Sequence, residues 1–193
     1  MLGLKLPTDP RWANIAEKHI EDILIDHAYC EQKAASSCIS LIVQFSDKEK
    51  LVETLTPVVA EEWEHFQLVM EQLKKRGFKL GKQRADQYVI ALSKQERKGD
   101  NINRQLMDKL LINALIEARS CERFKLLHQE IKDPELKHFY YDLMVSEAGH
   151  YKNFIELAEE YMPVEIVRQR WLELLQIEAD IMRSMEISPK RMH

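Results

Sequence analysis

A glutamate inside the apolar stripe of a helix carries a desolvation penalty, and this chain repeatedly places one there. From about residue 17, Ile20, Leu24, Ala28, Ala35, Cys38 and Ile42 recur at intervals of three or four, with Glu31 in the same stripe. Further on, Leu55, Val58, Val59, Phe66, Val69 and Leu73 share a face with Glu62 and His65. A third stripe, Leu106, Leu110, Ala114, Cys121 and Phe124, contains Glu117, and a fourth stretch repeats the Glu62–His65 spacing at Glu147 and His150. On a helix that spacing puts a carboxylate and an imidazole on one face, one turn apart. Such a chain must either gather its helices around a shared positive charge or leave these acids in water.

Breakers and caps divide the chain, read as one domain over 1–193, into six segments. Residues 1–16 are an irregular lead-in, punctuated by Pro7, Asp9 and Pro10, with Trp12 and Ile15 docking it onto the helices. A first helical hairpin spans 17–76. Ser46-Asp47-Lys48-Glu49 reads as a capping box at its turn, and Gly77 as its stop. Pro57 is expected to kink or restart the second helix. A connector, 77–102, holds one short helix near Asp86 to Gln95. A second hairpin, 103–162, turns at Asp133-Pro134, an N-cap followed by a proline at the first helical position. A C-terminal helix over 163–187 carries Trp171, Leu174, Leu175, Glu178 and Ile181 on one side, and 188–193 is a polar, basic tail.

The hairpins supply a geometric test of which acids face inward. Glu31 and Glu62 lie equally far from the first turn, and Glu117 and Glu147 nearly so from the second. At 1.5 Å rise per residue all four sit roughly 22–23 Å from their turns. Glu122 competes with Glu117, because Cys121-Glu122 echoes Cys30-Glu31, but it misses that height and points elsewhere around the helix. A Glu-x-x-His on each of two helices, with one glutamate from each of two others, is the ligand set of di-iron carboxylate bundles. Glu31, Glu62, His65, Glu117, Glu147 and His150 are therefore the expected metal ligands. Two divalent ions neutralise four glutamates when the histidines are neutral, and carboxylate with imidazole suits iron or manganese. Glu62 and Glu147 are placed to bridge, Glu31 and Glu117 to bind terminally. Ala28, Ala34, Ala35, Ala114 and Cys121 leave room for dioxygen and part of a substrate. His27, one turn from Glu31, reads as a packed or outer-sphere histidine; Glu61 and Glu64 read as solvated.

Composition narrows the setting. With 5 Gly and 6 Pro in 193 residues, the chain favours helix over β-structure or disorder. Net charge is −4, so a nucleic-acid partner requires a local basic patch. Cys30, Cys38 and Cys121 are odd in number and form no CxxC pair, which fits reduced thiols in the cytoplasm. The first ten residues lack the apolar core of a signal peptide, and no apolar run reaches the roughly 20 residues of a membrane span, so no membrane partner is expected.

Four segments carry a resemblance: Asp26-His27-Ala28-Tyr29-Cys30-Glu31-Gln32-Lys33-Ala34-Ala35, Met107-Asp108-Lys109-Leu110-Leu111, Leu115-Ile116-Glu117-Ala118-Arg119-Ser120-Cys121-Glu122-Arg123-Phe124 and Ser146-Glu147-Ala148-Gly149-His150-Tyr151. They resemble the signature blocks of the tRNA 2-methylthio-N6-isopentenyladenosine hydroxylases, and the likeness runs from the Leu-Pro-Thr-Asp-Pro lead-in to Arg191-Met192-His193. The resemblance implies an all-α, ferritin-like four-helix bundle of two helical hairpins, with an additional C-terminal helix and an irregular connector. It also implies a non-haem di-iron monooxygenase that hydroxylates the isopentenyl group of a modified adenosine beside the tRNA anticodon. Two Fe ions, dioxygen as co-substrate, an external electron donor and tRNA follow from it, and its ligand pattern falls on the same six residues.

The charge distribution bears on the tRNA independently. Basic residues concentrate between 74 and 104, where Lys74, Lys75, Arg76, Lys79, Lys82, Arg84, Arg97 and Lys98 are the candidate phosphate contacts, with Lys94 and Arg104 nearby. Tyr88 reads either as a base-stacking ring or as a core anchor. A ferroxidase or a rubrerythrin-like peroxidase would use the same metals without tRNA; three scattered cysteines cannot supply the four-cysteine iron domain that rubrerythrins often add.

Overall fold

The computed structural model describes residues 3–99, 101–185 and 191–192, and the expected tail falls mostly outside them. Among the described residues, secondary structure consists of seven helices: α1 (Arg11–Lys18), α2 (Ile20–Gln44), α3 (Glu49–Lys75), α4 (Gln87–Ser93), α5 (Ile102–Glu130), α6 (Pro134–Tyr161) and α7 (Val164–Ser184). The chain divides into two compact units. One takes in residues 14–85 with 191–192, the other 3–13 with 86–185.

The first unit is built on α2 packed against α3. Its core side chains Leu24, Ala28, Leu51, Leu55, Val58, Val69 and Leu73 are buried, each larger aliphatic contributing about 1.5–3 kcal/mol. The turn departs from expectation. Ser46 does not cap α3; its N-cap is Lys48, without a side-chain cap, and the turn closes instead through Phe45 N–H to Leu41 O (2.9 Å) and Lys48 N–H to Phe45 O (3.0 Å). Pro57 lies within α3 without ending it, since the flanking apolar stripe holds the helix in register. Gly77, at φ 74°, stops α3 as expected: its N–H reaches Lys74 O and Phe78 N–H reaches Leu73 O, the paired bonds of a Schellman ending.

The second unit centres on α5 packed against α6, with α4 and α7 laid against α5. Asp133 caps α6, accepting from Glu135 N–H (2.9 Å) and Leu136 N–H (3.3 Å). Asp86 caps α4 by accepting from Val89 N–H at 3.1 Å. The lead-in is less irregular than its prolines suggest, because α1 starts at Arg11. Asp9 accepts from Arg11 N–H at 2.9 Å, and Pro10 presets the backbone for the first turn. Trp12 is buried under the guanidinium of Arg123, 4.6 Å from its ring centroid.

A buried ion pair ties this unit together. Arg119, fully buried on α5, donates from Nε (3.0 Å) and Nη2 (2.6 Å) to Glu178 Oε1 on α7. It also pairs with Glu122 and donates to Leu6 O (3.0 Å), which fastens the lead-in. Tyr88 is the core anchor of its two readings and no base-stacking ring: it is buried, and its hydroxyl donates to Glu178 Oε1 at 3.3 Å. Asp108, also fully buried, accepts from the Arg97 backbone N–H (2.9 Å), Arg97 Nε and Nη2 (2.9 and 2.7 Å) and Arg170 Nε (2.9 Å). Burial opposes ionisation of Asp108, but these arginine bonds outweigh it and hold its pKa below the usual carboxylate value.

Candidate metal centre

In the first unit, α2 brings Glu31 and α3 brings Glu62 and His65 to one place. All three are buried, and one ligating atom from each falls within 4.8 Å of the others. His65 Nδ1 lies 3.7 Å from Glu31 Oε2 and 3.8 Å from Glu62 Oε2. Those distances are too long for hydrogen bonds. The other oxygen of Glu31 is engaged: His27 Nε2 lies 2.5 Å from Oε1. His27 is wholly buried, so it acts on Glu31 from behind.

The second unit repeats the arrangement. Glu117 from α5 and Glu147 and His150 from α6 are buried, again with one ligating atom each inside 4.8 Å. His150 Nδ1 lies 3.3 Å from Glu147 Oε2. Cys121, one turn beyond Glu117, turns its thiol to Met144 O at 3.4 Å. Burial, and then the charge of Glu147, pushes that thiol up to about 11. The rival Glu122 is occupied elsewhere, accepting from Thr8 N–H (3.0 Å) and Thr8 Oγ1 (2.7 Å) and pairing with Arg119.

Each unit thus contributes two carboxylates and one imidazole, all inside the protein. Two buried carboxylates without a counter-charge carry several kcal/mol of desolvation penalty. A divalent ion cancels that charge, and a Glu₂His donor set with coordination positions left over suits iron or manganese. By donor type, burial and spacing, both triads fit such an ion. Glu61 and Glu64, on the other faces of α3, are exposed.

The basic candidates separate into two kinds. Lys74, Lys75, Lys79, Lys82 and Lys98 project into solvent. The arginines are held inward: Arg76 on Gln72, Arg84 on Asp22, and Arg97 in its forked pairing with Asp108. At the C-terminal end of α3, Met70, Leu73, Phe78 and Leu80 line an open groove of about 560 Å³ with Glu71, Lys74 and Lys79 beside it. No described helix is long and apolar enough to cross a membrane.

The family model described as tRNA-(MS[2]IO[6]A)-hydroxylase (MiaE) matches residues 2–193. The chain belongs to this family. Within it, a tRNA 2-(methylsulfanyl)-N(6)-isopentenyladenosine(37) hydroxylase from Pseudomonas putida is 37% identical over 180 residues, 90% of this chain and 86% of the relative. The protein of the same name from Salmonella typhimurium is 34% identical over 135 residues, covering 70% of this chain and 48% of its own length. A solved structure titled "Protein 43 with aldehyde deformylating oxygenase activity from Synechococcus" superposes with a TM-score of 0.93 at 36% identity. It covers 98% of this chain and 94% of its own. The fold is the all-α, ferritin-like class that the MiaE resemblance implied.

Sequence reasoning missed three polar clusters: Arg119 with Glu178, Asp108 with Arg97 and Arg170, and Asp26 with the described end of the chain. The first carried a signal, since Glu178 stands in the apolar stripe of α7. The third carried none.

Proposed function

We propose that this chain is a di-iron, dioxygen-dependent hydroxylase acting on the isopentenyl group of 2-methylthio-N6-isopentenyladenosine in tRNA. The observation that carries the reading is the pair of buried Glu₂His triads in a chain of the MiaE family. Glu31, Glu62 and His65 would hold one ion, and Glu117, Glu147 and His150 the other. When bound, the ions would activate dioxygen for insertion into an aliphatic C–H bond, with two electrons from an external donor.

The protein residues do the rest. Burial of both triads keeps water from competing for the open positions. His27 fixes the orientation of Glu31, as partners behind a ligand usually do. Lys74, Lys75, Lys79 and Lys82 offer phosphate contacts, and the groove edged by Lys74 and Lys79 is apolar enough to accept an unstacked base. Arg76, Arg84 and Arg97 have internal partners and are weaker candidates for that role.

Metal analysis of purified protein, with Glu62→Ala and His150→Ala as controls, tests the ligand set. Nucleoside mass spectrometry of tRNA from cells lacking the protein tests the substrate; unchanged hydroxylation there refutes the assignment. The Synechococcus likeness favours a second reading, an aldehyde deformylating oxygenase. Purified enzyme that turns over aldehyde but leaves modified tRNA untouched selects it.

A further inference from the structure

Aspartate is a poor residue for a helix interior, yet Asp26 stands well inside α2 with 4% exposure. A carboxylate so buried requires partners. Its partners come from the far end of the sequence: Arg191 Nη1 donates to Oδ1 at 3.1 Å, and the backbone N–H of Met192 donates to Oδ2 at 2.8 Å. Met192 is itself fully buried, so a side chain, an ion pair and a backbone bond anchor the two residues together. Asp26 directly precedes His27, which lies 2.5 Å from Glu31 Oε1. All of these groups belong to the first unit.

We propose that Arg191 and Met192 form a clip on Asp26 that immobilises the turn of α2 carrying His27, and through His27 sets the Glu31 carboxylate for its ion. Arg191 and Asp26 are positioning residues. The inference rests on the reading of Glu31, Glu62 and His65 as a metal triad. Loss of a partner behind a ligand typically weakens metal affinity about 10- to 100-fold. The clip acts one step further out, so its removal should weaken one ion by about tenfold, the low end of that range.

The test is a titration of the full-length protein with Co(II), followed by its ligand-field absorption, alongside thermal unfolding. Arg191→Ala is expected to weaken one of two Co(II) ions about tenfold, Arg191→Lys to restore most of that affinity, and His27→Ala to match or exceed the loss. Because they act through one carboxylate, Arg191→Ala and His27→Ala should be non-additive. Glu178→Gln, in the other unit, is the stability control: it should lower the melting temperature with both Co(II) affinities kept. If Arg191→Ala behaves like that control, with both affinities within twofold of wild type, the clip is overturned while the metal reading stands. Wild-type protein that takes up no Co(II) overturns both.

Discussion

Removing either imidazole should remove a countable share of metal-dependent stability. His65 and His150 each complete one buried triad, and the two triads are alike in composition. An ion that binds only the folded chain stabilises it by RT ln(1 + [L]/Kd), about 2.7 kcal/mol per site at a hundredfold excess over Kd. Two sites give about 5.4 kcal/mol, which for a chain of this length is a rise of roughly 11–22 °C in melting temperature. His65→Ala and His150→Ala should each keep about half of that rise, and the double variant none of it. The assay is calorimetry of metal-free and Fe(II)- or Mn(II)-loaded protein under argon, with far-UV circular dichroism to show that each variant folds. A wild-type melting temperature indifferent to metal refutes the reasoning, as does a double variant with the full rise.

Three further outcomes follow from the buried polar groups and the surface. Glu178→Gln strips Arg119 of one of its two carboxylates and should destabilise by about 3 kcal/mol, the low end for a broken buried pair because Glu122 remains; urea unfolding measures it, and Arg119→Met with Glu178→Leu together should cost less than the single change. Asp108 has its folded pKa depressed by Arg97 and Arg170, so its stabilisation is complete above its unfolded value near 3.8 and is lost as pH falls through the lower folded value. The stability gap between wild type and Asp108→Asn, measured by denaturant unfolding, should therefore be flat from pH 5 to 7 and narrow in stronger acid. Lys74→Glu with Lys79→Glu should weaken tRNA binding and flatten the plot of log K against log salt by about 0.7–0.9 for each phosphate no longer neutralised, read by filter binding; an unchanged slope removes the groove from the interface.

The long helices were legible because their apolar residues recur at three and four, and the burial of Glu31, Glu62, His65 and Glu117 because each stands in such a stripe, whereas Glu147 and His150 stood out only by repeating the Glu62–His65 spacing. Short-range signals were less faithful. Asp133-Pro134 correctly announces α6, yet the same pair at Asp9-Pro10 suggests an irregular lead-in where it in fact opens α1. Ser46 has the residues of a capping box but not the backbone, since α3 begins at Glu49. Tyr88 could stack or anchor, and only the distant Glu178 decides between them. Asp26 was illegible in principle, because its partners are Arg191 and Met192 and no local pattern encodes so remote a pairing.

The two hairpins differ at their turns. A side-chain cap contributes about 1 kcal/mol, and α6 has one in Asp133 while α3 has none. Amide protons in the first turn of α3 should therefore exchange with deuterium sooner than their counterparts in α6. The first turn of α3 should then fray more readily than that of α6, giving two otherwise parallel halves of the chain different rhythms of local unfolding.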